Sequence, residues 1–126
     1  MVGGGRDNRV DAGATGASIV GGRSNIIEAN VWHGTIGGGM GNMIERQATN
    51  AAISGGFDNT ASASATSVCG GNGNTARGES ATVSGGHGNT ARGHTAAISG
   101  GEANTASGFT ASISGGRNHT ARGDFD

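Results

Sequence analysis

The sequence predicts an all-β chain wound as a parallel β-roll or β-solenoid of about eight rungs of 15–17 residues, and three observations carry that reading. The first is a fixed period. The aliphatic residue ahead of each double glycine, the expected structural core, falls at Val2, Ile19, Ile36 and Ile53 in steps of 17, then at Val68, Val83, Ile98 and Ile113 in steps of 15. Repeats of this length mark architectures in which one coil cannot bury its apolar face without its neighbours. The second is the uniformity of the aligned columns. Six residues after each aliphatic stand Asn8, Asn25, Asn42, Asn59, Asn74, Asn89, Asn104 and His119, and two further on stand Val10, Ile27, Ile44, Ala61, Ala76, Ala91, Ala106 and Ala121. The third is composition. Leu, Lys, Pro and Tyr are absent, and the aliphatic side chains beyond Ala are almost entirely Val and Ile, which suit a pleated surface. The 28 glycines would suggest disorder if they were scattered, but they recur at the same rung positions and therefore read as corners.

One narrow rung shows the local logic. In 81–85, alternation puts Ala81, Val83 and Gly85 on one face and Thr82 and Ser84 on the other, as a half-buried strand requires. Gly86, His87 and Gly88 are expected to form the first corner. A second strand follows Asn89, with Ala91 inward and Thr90 and Arg92 outward, and Gly93 with His94 is expected to form the second corner. Asn25, Asn42, Asn59, Asn74, Asn89 and Asn104 are read as a structural ladder, because a stacked Asn can bond turn backbone and its own copies above and below.

The chain reads as a single repeat domain, with wide rungs over 1–52 and narrow rungs over 53–126. The wide rungs place two extra residues in the second corner: 13–16 in rung one, Asn30 to His33 in rung two, and Gln47 to Asn50 in rung three. They also fill the inward column after the Asn with Val10, Ile27 and Ile44 where the narrow rungs use Ala, so the first half should be the fatter coil. With so thin an aliphatic column, lateral association of several chains is the expected source of further burial, and Ile26, Met43 and Trp32 are the expected contact side chains.

The run from Ala81 to Gly93, with its echoes through Gly123, resembles the head repeats of trimeric autotransporter adhesins, the YadA-like head. The resemblance covers essentially the whole chain and implies a left-handed parallel β-roll. It further implies three chains side by side about a threefold axis, held at a bacterial cell surface by an outer-membrane anchor elsewhere in the protein. The resemblance implies attachment to host matrix, other cells or abiotic surfaces. The rungs here are longer than that family's usual one, and neither a coiled-coil stalk nor an anchor is present, so the chain is expected to be a segment of a longer protein. A phage or virus fibre segment, displayed on a virion, is the alternative reading.

Chemical motifs point to no enzyme and no cofactor. There is no nucleophile elbow, phosphate loop with Lys, zinc spacing or EF-hand pattern. His33, His87, His94 and His119 occupy different rung positions, and Asp7 and Asp58 lack a regular calcium-binding spacing, so no metal site is expected. Cys69 replaces the Ser of Ser54, Ser84, Ser99 and Ser114. No apolar run is long enough to span a membrane. A net charge of −1 argues against nucleic acid as a partner.

The charge is nevertheless organised. Three residues after each Asn the column reads Asp11, Glu28, Glu45, Ser62, Arg77, Arg92, Ser107 and Arg122, acidic then basic along one face. Arg77, Arg92 and Arg122 are the candidate ligand-facing residues, toward an anionic glycan or matrix partner whose grip would weaken with salt. Arg122-Gly123-Asp124 spells a cell-adhesion tripeptide, although Arg-Gly is part of the repeat at Arg77-Gly78 and Arg92-Gly93. The rank of Thr60, Thr75, Thr90, Thr105 and Thr120 suggests a lesser alternative, an ice-binding or other surface-binding face, but the arginines break its companion column.

Overall fold

A computed structural model describes residues 1–125; Asp126, the last residue of the narrow segment, lies outside the described residues. The chain winds as a parallel β-solenoid of about eight rungs, and no helix occurs among the described residues. Each rung contributes two-residue strands to two sheets. One sheet has eight strands, running in order from Arg9–Val10 to Thr120–Ala121, and the other has seven, from Ser18–Ile19 to Ser112–Ile113. Every pairing is parallel and joins equivalent residues, so Ile36 sits on Ile53 and Ile53 on Val68 even where the step falls from 17 residues to 15.

Strands this short cannot stand alone; rung-to-rung hydrogen bonds hold them. Thr82 N–H donates to Ala96 O at 2.9 Å and Ser84 N–H to Ile98 O at 2.8 Å on one sheet, while Thr90 N–H donates to Asn104 O at 2.8 Å on the other. Inside the coil, Ile19, Ile36, Ile53, Val68, Val83, Ile98 and Ile113 line one wall, and Ile27, Ile44, Ala61, Ala76, Ala91 and Ala106 face them from the other sheet. Val2 departs from the core expected of it. It is 42% exposed, because a strand, that of Ile19, lies on one side of it only.

The structure adds a third side that the two-strand reading missed. Arg6, Arg23, Met40, Phe57, Asn72, His87, Glu102 and Arg117 form a ladder of single-residue parallel bridges, so His87 is a strand-like element and not the middle of a corner. The cause lies one residue later. Asp7, Ser24, Gly41, Asp58, Gly73, Gly88, Ala103 and Asn118 all have φ between 52° and 68°, which from Ser24 onward turns their N–H groups back toward the preceding rung. Gly88 N–H thus bonds Asn72 O at 2.9 Å while His87 N–H bonds Gly101 O, also at 2.9 Å.

The last corner also differs from its expected form. Its left-handed residues are Ala65, Ser80, Thr95, Thr110 and Phe125, whereas Gly93 has no positive φ. Gly93 is small for another reason: a Cβ there would overlap the carbonyl of Gly108 in the next rung. In the wide rungs the corner has two left-handed residues, Asn30 with His33 and Gln47 with Asn50, and turns one side chain inward between them, Val31 or Ala48. Volume is conserved across that extra position. Where Val31 is large, Gly34 stands opposite in the column held by Ala17 and Ala51, and a Cβ on Gly34 would lie 2.5 Å from Val31 Cγ1.

Candidate functional surface

Three straight outward faces result, each a set of columns spaced by one rung, ~4.8 Å in a β-sheet. The first flanks the aliphatic column and is uncharged: Ser67 with Cys69, Thr82 with Ser84, Ala97 with Ser99, and Ser112 with Ser114. Cys69 is exposed and free there. The second is the single-bridge ladder, whose Met40 and Phe57 stand on adjacent rungs and are each 41% exposed. The third lies outside the eight-stranded sheet and carries the Thr rank and the acidic-to-basic column.

The Asn column lies beneath the turn between the last two faces and fixes its geometry. Asn25, Asn42, Asn59, Asn74, Asn89 and Asn104 are fully buried. Each Oδ1 accepts from the backbone N–H of the next column member, as from Asn89 N to Asn74 Oδ1 at 2.9 Å. Each Nδ2 donates to two glycine carbonyls, for Asn89 to Gly85 O at 3.0 Å and to Gly101 O at 2.9 Å. Within this column, among the described residues, side chain meets side chain only between Asn25 Nδ2 and Asn8 Oδ1, at 3.1 Å. Elsewhere the ladder runs through backbone. It ends with His119, whose N–H still bonds Asn104 Oδ1 at 2.9 Å.

Arg77, Arg92 and Arg122 are exposed, and none takes part in an ion pair among the described residues. Arg77 and Arg92 stand one rung apart beside Thr75 and Thr90, which share a register with each other. At the acidic end, Asp11 is held by Arg9 at 2.7 Å, and Glu28 Oε2 accepts the backbone N–H of Arg46 at 2.9 Å. The bridge ladder treats charge differently: there Arg117 reaches the adjacent rung's Glu102 at 2.7 Å.

Other sequence signals resolve into local structure. Asp124 of the adhesion tripeptide spends a carboxylate oxygen on Phe109 N–H at 3.0 Å. His94 stacks on Phe109 with ring centroids 5.1 Å apart, and Phe109 meets Phe125 edge-on at 5.9 Å. Among the described residues no three His, Cys, Asp or Glu side chains gather in a group fit for a metal ion. Ile26 and Met43, expected to be exposed, are half-buried. The exposed large apolar side chains include Val20, Trp32, Met40 and Phe57. Met40 and Phe57 were legible only as members of a variable column, since nothing in the period marks that column as a third ladder.

In comparison with protein-family models, curated proteins and solved structures, nothing matches the chain.

Proposed function

We propose that this chain is a non-catalytic structural and adhesive module, the head or spacer of a trimeric, YadA-like adhesin displayed outside the cell. The observation that carries the reading is the closed core. Ile19 through Ile98 and the Asn ladder are already buried within one chain, so the outward faces are not needed to close the core. Eight rungs at ~4.8 Å make a rod on the order of 40 Å long, suited to holding a surface away from its anchor.

Because the core needs no second chain, a trimer must be held by outer side chains. Met40 and Phe57, adjacent and apolar, are the contact that this reading uses in place of Ile26 and Met43. Arg77, Arg92 and Arg122 then remain available to an anionic partner. Light scattering tests the assembly directly: three chains of 12.1 kDa per particle, unchanged by reductant, is the expected result. A Met40→Glu/Phe57→Glu variant should fall to monomers while keeping its β-sheet circular dichroism. A wild-type monomer would remove the trimeric reading.

A further inference from the structure

The column of charge three residues after each Asn is segregated. Glu28 and Glu45 stand on adjacent rungs, as do Arg77 and Arg92, with neutral Ser62 midway between the two pairs. Alternating signs up the column would let each charge pair with the next rung, as Arg117 does with Glu102. Segregation gives that up and stacks like charges ~4.8 Å apart, which is unfavourable within one chain. It becomes favourable if the column meets its own reversed copy.

The geometry of a parallel β-solenoid makes that meeting specific. Two copies packed face to face through the eight-stranded sheet, related by a twofold axis along the strand direction, reverse the rod axis but preserve position along each strand. The charged column of one copy therefore faces the charged column of the other, and the Thr column faces the Thr column. With the axis through Ser62, Glu45 faces Arg77 and Glu28 faces Arg92. The symmetry produces each pair twice, as in any isologous contact. Ser62 meets its own copy, and being small and uncharged it brings no like-charge clash to the axis. In the neighbouring column Met43 faces Thr75, Ile26 faces Thr90 and Thr60 faces its copy, so the half-buried apolar side chains cover threonine methyl groups. Asp11, already held by Arg9, is left opposite Ser107.

We infer that the eight-stranded face binds a second copy of this chain in antiparallel orientation, joined by Glu28–Arg92 and Glu45–Arg77 ion pairs about Ser62. The inference rests on the adhesive reading for its biological sense. Rods standing out from two facing surfaces arrive antiparallel, so the contact would join like surface to like surface. It leaves the Met40 and Phe57 face free, and so is compatible with a trimer.

Charge exchange tests it. Light scattering at about 50 mM salt should show a mass at least twice that of the basal assembly, since each chain brings one pairing face, falling back at about 500 mM as screening rises. Glu28→Arg/Glu45→Arg makes the four pairing positions all basic, and Arg77→Glu/Arg92→Glu makes them all acidic. Each variant alone should lose self-pairing, by on the order of 10- to 100-fold in Kd for four exposed pairs. An equimolar mixture of the two, and the chain carrying all four substitutions, should regain it. Arg77 and Arg92 are fully outward, so the acidic variant keeps the test open should the basic one fold poorly. Doubling that persists in both single-sign variants, or a mixture that stays unpaired, overturns the inference. So does retention of wild type on a sulfated polysaccharide without any doubling, which would make the strip's partner a polyanion. Coated beads that fail to clump although the mass doubles would count against the adhesive reading and leave the pairing standing.

Discussion

Asn59 donates its backbone N–H to the side-chain oxygen of Asn42 at 3.0 Å, across the step where the coil narrows from 17-residue to 15-residue rungs. The same bond recurs within the wide half, from Asn42 N to Asn25 Oδ1 at 3.0 Å, and within the narrow half, from Asn104 N to Asn89 Oδ1, also at 3.0 Å. The ladder is thus the shared axis about which rungs of different girth are built, and the length change is absorbed in the last corner.

Removing a rung of that ladder should be costly. Asn89→Ala leaves the buried N–H of Asn104 without its acceptor and withdraws a donor from Gly85 O and Gly101 O. At about 1–3 kcal/mol per stranded buried group, denaturant titration should show a loss of at least about 2 kcal/mol. Asn8→Ala, in the more exposed first rung, should cost less. Equal losses at the two positions would contradict a ladder whose strength comes from burial.

The two glycines that flank a narrow rung should behave oppositely. A Cβ on Gly85 meets nothing within 4 Å, whereas a Cβ on Gly93 overlaps the Gly108 carbonyl. Neither has a positive φ. Gly85→Ala should therefore be neutral or stabilising by up to about 1 kcal/mol, by restricting the unfolded chain. Gly93→Ala must push two rungs apart and should lower the melting temperature clearly. The reverse order of the two melting temperatures would refute this account of the corners.

Ala103 tests local backbone strain. It holds φ 54° in a column where Gly73 and Gly88 hold 64°. An L residue in that region is disfavoured by roughly 1–2 kcal/mol, offset in part by the extra freedom glycine gives the unfolded chain. Ala103→Gly should raise stability by about 0.5–1 kcal/mol in thermal unfolding. A decrease would mean that the alanine methyl contributes packing of its own.

The two faces of a strand should also separate cleanly. Ile98 is 1% exposed, and Ile98→Asp would place a carboxylate among Val83, Ile113 and the alanines opposite, so cooperative unfolding should disappear. Thr90→Asp, on the outward side of its strand, should shift the midpoint only slightly. Comparable damage from both would sink the assignment of faces.

The period determined much of this molecule. Because each rung stacks on its copy, like residue on like, a spacing of 17 or 15 fixes the register of every strand pair, and alternation around Val83 and Ala91 fixes which side chains turn inward, except at Gly85, which was expected inward but whose Cβ would meet open space. The two extra residues of the wide rungs were legible as a longer corner, but that one of them, Val31 or Ala48, turns inward was not. What the tertiary structure alone decided concerns the closing of the coil. The third ladder through His87, the left-handed turns at Ala103 and Thr95, and the exposure of Met40 and Phe57 all depend on how the corners bring the sides together in space. A missing Cβ looks the same in sequence whether it permits a positive φ, as at Gly86, or a close backbone approach, as at Gly93. Stacking repeats along one dimension and is written in the spacing. Closure is a three-dimensional condition on backbone distances between rungs, and it leaves only an ambiguous glycine behind.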